Sequence, residues 1–172
     1  PDTAPAYAFS SDGTELRAGV DTPRPWTHVI ANEPGYGVAM NNHGEIYSFM
    51  GNSQQNGLTP FSLNDEPVEI PGQAVYVHNL RTGDIDGPTF APFRTRAQDC
   101  SVTYGRGYAL FERTTKPTEV SLSVCVLPDA PAEVRLLSVR NNSPADETFR
   151  VVPYLQMMLG ETPQDTRGCI IA

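Results

Sequence analysis

The chain has 172 residues, with 12 Lys plus Arg against 20 Asp plus Glu and a net charge of −8. A chain of that length forms one domain that buries about 70% of its unfolded surface, so its core needs no disulfide or metal staple. The acidic balance argues against nucleic acid and anionic membrane faces as partners, since no basic block offsets the repulsion. No apolar run reaches the ~18 residues that span a bilayer, so no membrane insertion by this chain is expected. Cys100, Cys125 and Cys169 are odd in number and widely spaced, which reads as reduced thiols in a cytoplasmic setting rather than a disulfide framework. The chain opens on Pro1-Asp2 with no apolar signal segment after it, and the expectation is a piece excised from a larger enzyme.

Residues 1–14 are small and polar with interspersed proline, an extended lead-in, and 15–172 form a single domain. In chain order, 28–31 reads as a short strand following Trp26, whose position after Pro25 suits a packing anchor. A hairpin follows, with strands at 36–40 and 45–49 around Asn41-Asn42-His43-Gly44, residues that supply the positive φ such turns require. The second strand breaks into a polar loop with Asn52, Ser53, Gln54, Gln55, Asn56 and Gly57, and apolar character returns at Leu58, Thr59, Pro60 and Phe61. Amides and hydroxyls flanked by rings suit a neutral, many-hydroxyl ligand. They equally suit an ordered loop whose amides bond its own backbone.

Further strands are expected at 74–78, 101–104 and 108–113, with turns at 81–84 and at Gly105-Arg106-Gly107. The clearest period-2 signal is Val120, Leu122, Val124 and Val126 against Glu119, Ser121 and Ser123, one face buried and one wet. Residues 133–140 are apolar on both faces through Val134, Leu136, Leu137 and Val139, which reads as a central strand. In the last long strand Phe149, Val151, Leu155, Met157 and Leu159 alternate inward, and Pro153 marks an edge or a bulge. No segment carries helical periodicity over ten or more residues. Short strands separated by turn chemistry make an all-β sandwich.

No complete reactive cluster emerges. His28, His43 and His78 lie far apart without a ligand at metal spacing, and no cofactor motif is present. Asp84 with Asp86, and Asp65 with Glu66, could be paired acids for glycosidic work, but both sit in turn-like, solvated segments where nothing raises a carboxyl pKa. No residue is assigned a catalytic role.

Three stretches taken together carry a resemblance: TPRPWTHVIANEPGYG at 22–37, GNSQQNGLTPFSLNDEPVE at 51–69, and GRGYALFE followed by VSLSVCVLPDAPAEVRLLSVRNNS within 105–143. Their order and spacing resemble the N-terminal β-sandwich domain of the cellobiose phosphorylase family, once classed as glycosyltransferase family 36. Within it, the chain looks most like chitobiose phosphorylases and the phosphorylase-like part of cyclic β-1,2-glucan synthases. The resemblance implies an antiparallel supersandwich of the galactose mutarotase-like type, followed in the family by an (α/α)₆ barrel that holds the catalytic acid and the phosphate site. It further implies an accessory domain that packs on that barrel, contributes to homodimer contacts and lies near the sugar cleft. Around the polar loop the frame is kept at Asn52, Ser53, Asn56, Leu58, Thr59 and Pro60, whereas neutral residues stand at Gly51, Gln54, Gln55 and Gly57 where the family pattern is charged.

Two functions follow as expectations. In the first, the domain contacts a β-linked gluco-oligosaccharide weakly through Asn52, Asn56, Thr59 and the ring of Phe61, with Tyr47 or Trp26 as a stacking face. In the second it is a scaffold or dimerisation domain without a sugar site, in which Leu58 and Phe61 make a protein contact. A self-contained mutarotase-type enzyme needs a His and a carboxylate in one cleft, and the sequence offers no such pair.

Overall fold

A computed structural model describes residues 7–52, 56–60, 71–115 and 117–158. In chain order its strands are β1 (Tyr7–Phe9), β2 (Leu16–Gly19), β3 (Thr27–Ala31), β4 (Tyr36–Asn41), β5 (Ile46–Met50), β6 (Gln73–Asn79), β7 (Ile85–Asp86), β8 (Cys100–Gly105), β9 (Tyr108–Thr115), β10 (Thr118–Val126), β11 (Glu133–Asn141) and β12 (Phe149–Leu155), with one 3₁₀ turn at Ala97–Asp99. They form a six-stranded sheet in the order β1-β2-β8-β9-β10-β11 and two three-stranded sheets, β12-β6-β7 and β3-β4-β5. Every strand pair is antiparallel. The protein is all-β, as its turn-punctuated sequence implies.

The hairpin of β9 and β10 shows why. Ala109, Phe111 and Arg113 on one strand and Val120, Leu122, Val124 and Val126 on the other are buried, while the residues between them face outward with the two-residue period of the pleat. Phe111 lies opposite Leu122 in the register. The inner face of this sheet closes on Ile30, Val38, Met40 and Ile46 from β3-β4-β5 and on Val75 from β6, forming the main core. Each fully buried side chain of this size contributes about 1.5–3 kcal/mol. Among these, Met40, Ile46 and Phe111 are the bulkiest apolar ones.

The two small sheets are joined edge to edge by residues 56–60. Met50 N donates to Asn56 O, Leu58 N donates to Ser48 O at 2.8 Å, and Met158 N donates to Leu58 O at 2.9 Å; Phe49 and Gly57 form an isolated antiparallel bridge. The segment therefore behaves as a short extra strand between β5 and the end of β12. It makes one interrupted layer of two sheets facing the continuous six-stranded one.

Four details differ from the sequence reading. Tyr7–Phe9 within the lead-in is a strand paired with β2, and Ile85–Asp86 is a short strand on β6 rather than a turn. β11 occupies an edge of the six-stranded sheet, not its centre: Glu133, Arg135, Leu137 and Val139 turn inward, whereas Val134 and Leu136 face out, the latter 69% exposed. In β12, Val151 and Leu155 are exposed rather than inward, as is Met157 just beyond it, and Leu159 lies outside the described residues. β12 is an edge strand among the described residues. Leu80 N bonds Thr148 O and Gln156 N bonds Gly72 O, so by the two-residue period Pro153 turns its nitrogen to the unpaired edge, where the missing N–H costs no ladder bond.

Candidate functional site

The structure brings four of the candidate ligand residues to β5 and leaves one apart. Asn52 and Asn56 are exposed where the chain leaves and rejoins β5; Asn56 holds a positive φ of 54°, a conformation Asn tolerates better than most residues. Tyr47 and Thr59 are 2% and 1% exposed. The Tyr47 ring stacks on Phe49 with centroids 5.7 Å apart, and a Cβ on Gly57 would lie 2.8 Å from the Tyr47 hydroxyl. Glycine at position 57 thus lets the returning chain lie over that ring, and in this conformation neither Tyr47 nor Thr59 offers a face to a ligand. Trp26 packs against the main core on the other side of β3-β4-β5 and carries the Tyr7 ring at 4.8 Å. Its backbone N–H donates to Asn42 Oδ1 at 2.8 Å and its carbonyl accepts from the Tyr104 hydroxyl at 3.0 Å. Phe61 lies outside the described residues.

Beneath the loop runs a buried polar seam. Thr59 Oγ1 accepts from Ser48 N–H at 3.1 Å and from Gln73 Nε2 at 3.0 Å. Gln73 Nε2 also donates to Ser48 Oγ at 2.7 Å, and Ser48 Oγ donates to Glu133 Oε2 at 2.8 Å. Glu133 in turn pairs with Arg135 at 2.6 Å. Burial, and then the Glu133 carboxylate, push the Tyr36 hydroxyl above its ordinary pKa, so Tyr36 is a neutral phenol at physiological pH. The seam ties the stitched layer to β11 through Thr59, Gln73, Ser48 and Glu133, although Gln73 Oε1 is buried without a hydrogen-bond partner among the described residues, a cost that the bonds around it offset. Nothing in the spacing of Ser48, Gln73 and Glu133 along the sequence announced it.

Several acids among the described residues are held in structural pairs, while Asp65 and Glu66 lie outside those residues. Asp86, one of the acids considered for glycosidic work, lies 2.9 Å from Arg113 Nε and accepts from Thr115 Oγ1 at 3.1 Å. Glu45 is buried and pairs with Arg94 at 2.7 Å while accepting from Asn41 Nδ2 at 2.7 Å. Arg81 grips Glu147 through its guanidinium and holds that carboxyl below the usual carboxylate range. The His28 ring stacks on Tyr104 at 5.0 Å, and burial lowers its pKa. Burial likewise raises the Cys100 thiol, the opposite of what a thiolate nucleophile needs. Among the described residues, no group of three or more His, Cys, Asp or Glu is placed to hold a metal ion, and no helix is long and apolar enough to cross a membrane.

Residues 13–169 match the family model described as the glycosyl hydrolase 94 supersandwich domain. The chain belongs to that family. This supersandwich domain is 32% identical over 168 residues to the cyclic beta-(1,2)-glucan synthase NdvB of Rhizobium meliloti (strain 1021), covering 95% of the present chain and 6% of the synthase. It is 24% identical over 153 residues to the solabiose phosphorylase of Paenibacillus borealis, covering 88% of the chain and 20% of the phosphorylase. The chain thus spans a small part of both curated relatives, and the similarity runs through nearly all of it.

Proposed function

We propose that this supersandwich domain is an accessory, carbohydrate-associated module of a glycoside phosphorylase or cyclic β-glucan synthase of the cellobiose phosphorylase-like type. In this reading it works beside an (α/α)₆ catalytic domain, in the cytoplasm or on the cytoplasmic side of a membrane-bound synthase. The observation that carries the proposal is the combination of similarity to part of a glucan synthase over nearly all of this chain with acids, Glu45 buried and Asp86 and Glu133 half-buried, that each face an arginine. A carboxylate held against a guanidinium is a poor proton donor. Contact with a β-linked gluco-oligosaccharide falls to the exposed amides Asn52 and Asn56 at the loop ends, with Phe61 beyond the described residues. One shallow platform offsets little of the association entropy, so affinity in the millimolar range is expected. Titrating a β-1,2-linked gluco-oligosaccharide into the ¹⁵N-labelled chain tests this: shifted amide resonances at Asn52 and Asn56 support loop contact, and an unchanged spectrum at millimolar sugar rejects it.

A scaffold reading is favoured by one specific observation, the stitching of residues 56–60 between β5 and β12. The loop then serves the fold, and its outer side docks on the catalytic domain or a second subunit. Leu58→Ala in the parent enzyme separates the two readings. Loss of assembly with unchanged sugar affinity favours the scaffold, whereas weakened sugar affinity with intact assembly favours the binding module.

A further inference from the structure

On the outer face of the six-stranded sheet lies a cleft of about 530 Å³, within the range of ~300–1,000 Å³ that small-molecule sites occupy. Its floor comes from β2, β8 and β9 through Arg17, Ser101 and Glu112, and its wall from the 3₁₀ turn and its approach through Arg96, Gln98 and Asp99. It is distinct from the polar loop, which belongs to the opposite layer.

The lining has a definite chemistry. Two guanidiniums face two carboxylates, so the cleft carries no net charge and has little to gain from a phosphate, a uronate or a cation. Arg17 divides itself between Glu112, at 3.3 Å, and Ser101 Oγ, at 2.9 Å. With the two side chains 61% and 37% exposed, such a pair is weak and opens easily to a third partner. Arg96, which precedes the 3₁₀ turn, makes no side-chain cap hydrogen bond to it. Arg96 also adopts a left-handed backbone, φ 53° and ψ 55°, a conformation that strains a non-glycine residue and is kept only where the surroundings impose it. No aromatic ring lines the cleft, so it cannot work by stacking. Fixed forks of N–H donors beside carboxylate acceptors and hydroxyls match the paired donor and acceptor demands of vicinal diols.

We propose that this cleft is a subsite for a neutral glycan, a short β-linked gluco-oligosaccharide held by Arg96 and Asp99 over the Arg17–Ser101–Glu112 floor. The inference rests on the carbohydrate-associated reading above and adds a second contact surface, on the sheet face, to the one proposed at the loop. The test uses the ¹⁵N-labelled chain with a β-1,2-linked gluco-oligosaccharide, and with inorganic phosphate and a glucuronate oligomer as charged controls. Sugar is expected to shift amide resonances of residues 96–101 and 112–115. Arg96→Asn, which keeps a residue tolerant of the left-handed backbone, and Asp99→Asn are each expected to weaken that response at least about fivefold, the loss of one charge-assisted hydrogen bond. The rest of each variant's spectrum reports that the fold is intact. Shifts confined to residues 52 and 56–60 would overturn the cleft and leave the loop reading standing. An equal or larger response to phosphate or glucuronate would overturn the neutral-ligand assignment. Silence with every ligand would overturn both the cleft and the carbohydrate-associated reading.

Discussion

Two irregular segments, 56–60 and 87–96, are both anchored in the interior, and they are anchored by different chemistry. The first is held by neutral hydrogen bonds that converge on Thr59, Ser48 and Gln73. The second is held by charge. Arg94 reaches the buried Glu45 at 2.7 Å. Arg113 spreads its guanidinium over Asp86 at 2.9 Å, the Thr95 carbonyl at 3.0 Å and the Thr89 carbonyl at 3.3 Å, with the Phe93 ring 5.7 Å from it. The difference teaches what each segment is for. Neutral bonds close the stitched layer with little desolvation, so the 56–60 segment completes a sheet. Ionic clamps fix a longer excursion whose far end presents Arg96 to the cleft, and a rigid support of that kind is what a preorganised binding wall needs.

The comparison breaks first at Arg113, whose side chain is 1% exposed. Arg113→Met leaves Asp86 without its cation and two loop carbonyls without a donor. Urea denaturation should show a loss of about 3–5 kcal/mol, the cost of orphaning one half of a buried pair. Pairing it with Asp86→Asn removes the stranded charge and should recover part of that loss. A double variant no more stable than the single one would mean that the carbonyl contacts, not the ion pair, dominate.

Next in size is the neutral seam. Thr59→Val keeps the shape and removes the oxygen that accepts from Ser48 N–H and Gln73 Nε2. Two buried donors then lose an acceptor, and the expected loss is about 1–3 kcal/mol by the same denaturation measurement. Should Thr59→Val cost as much as Arg113→Met, the distinction between a neutral stitch and an ionic clamp would lose its energetic meaning.

How much of this could be read from the residues alone depends on how local each feature is. β10 was legible because its alternation sits within one short stretch, and Gly107 with its φ of +80° is the turn residue expected between β8 and β9. β7 escaped notice because two residues carry no period and only pairing with β6 makes them a strand. β11 read as central because Val134 and Leu136 are apolar, yet side-chain type does not say what lies above an outward face. The polar loop was visible as composition. That Thr59 turns inward while Asn52 and Asn56 stay at the surface follows from bonds to β5 and to Met158, partners that are remote in the sequence. The same holds for Glu45 with Arg94 and Asp86 with Arg113, and for the cleft, whose Arg17 and Glu112 come from β2 and β9 and meet across the sheet.

A third arginine–carboxylate pair isolates burial from chemistry. Glu119 and Arg140 stand opposite each other in the β10–β11 register, one strand over from Arg113. Their charged atoms are 3.7 Å apart, and the side chains are 43% and 73% exposed. The groups are of the same kind as in the Asp86–Arg113 pair, but water already solvates them and salt screens them. Glu119→Gln should therefore cost less than about 1 kcal/mol, and that small cost should shrink further as ionic strength rises from 0.01 to about 0.15 M and the screening length falls to about 8 Å. The Arg113→Met loss should stay nearly constant over the same range, because little salt reaches a guanidinium enclosed by β9, Phe93 and the 87–96 segment. If both losses fell together with added salt, the interior clamp would have to be open to solvent, and the rigid wall inferred for the cleft would lose its support.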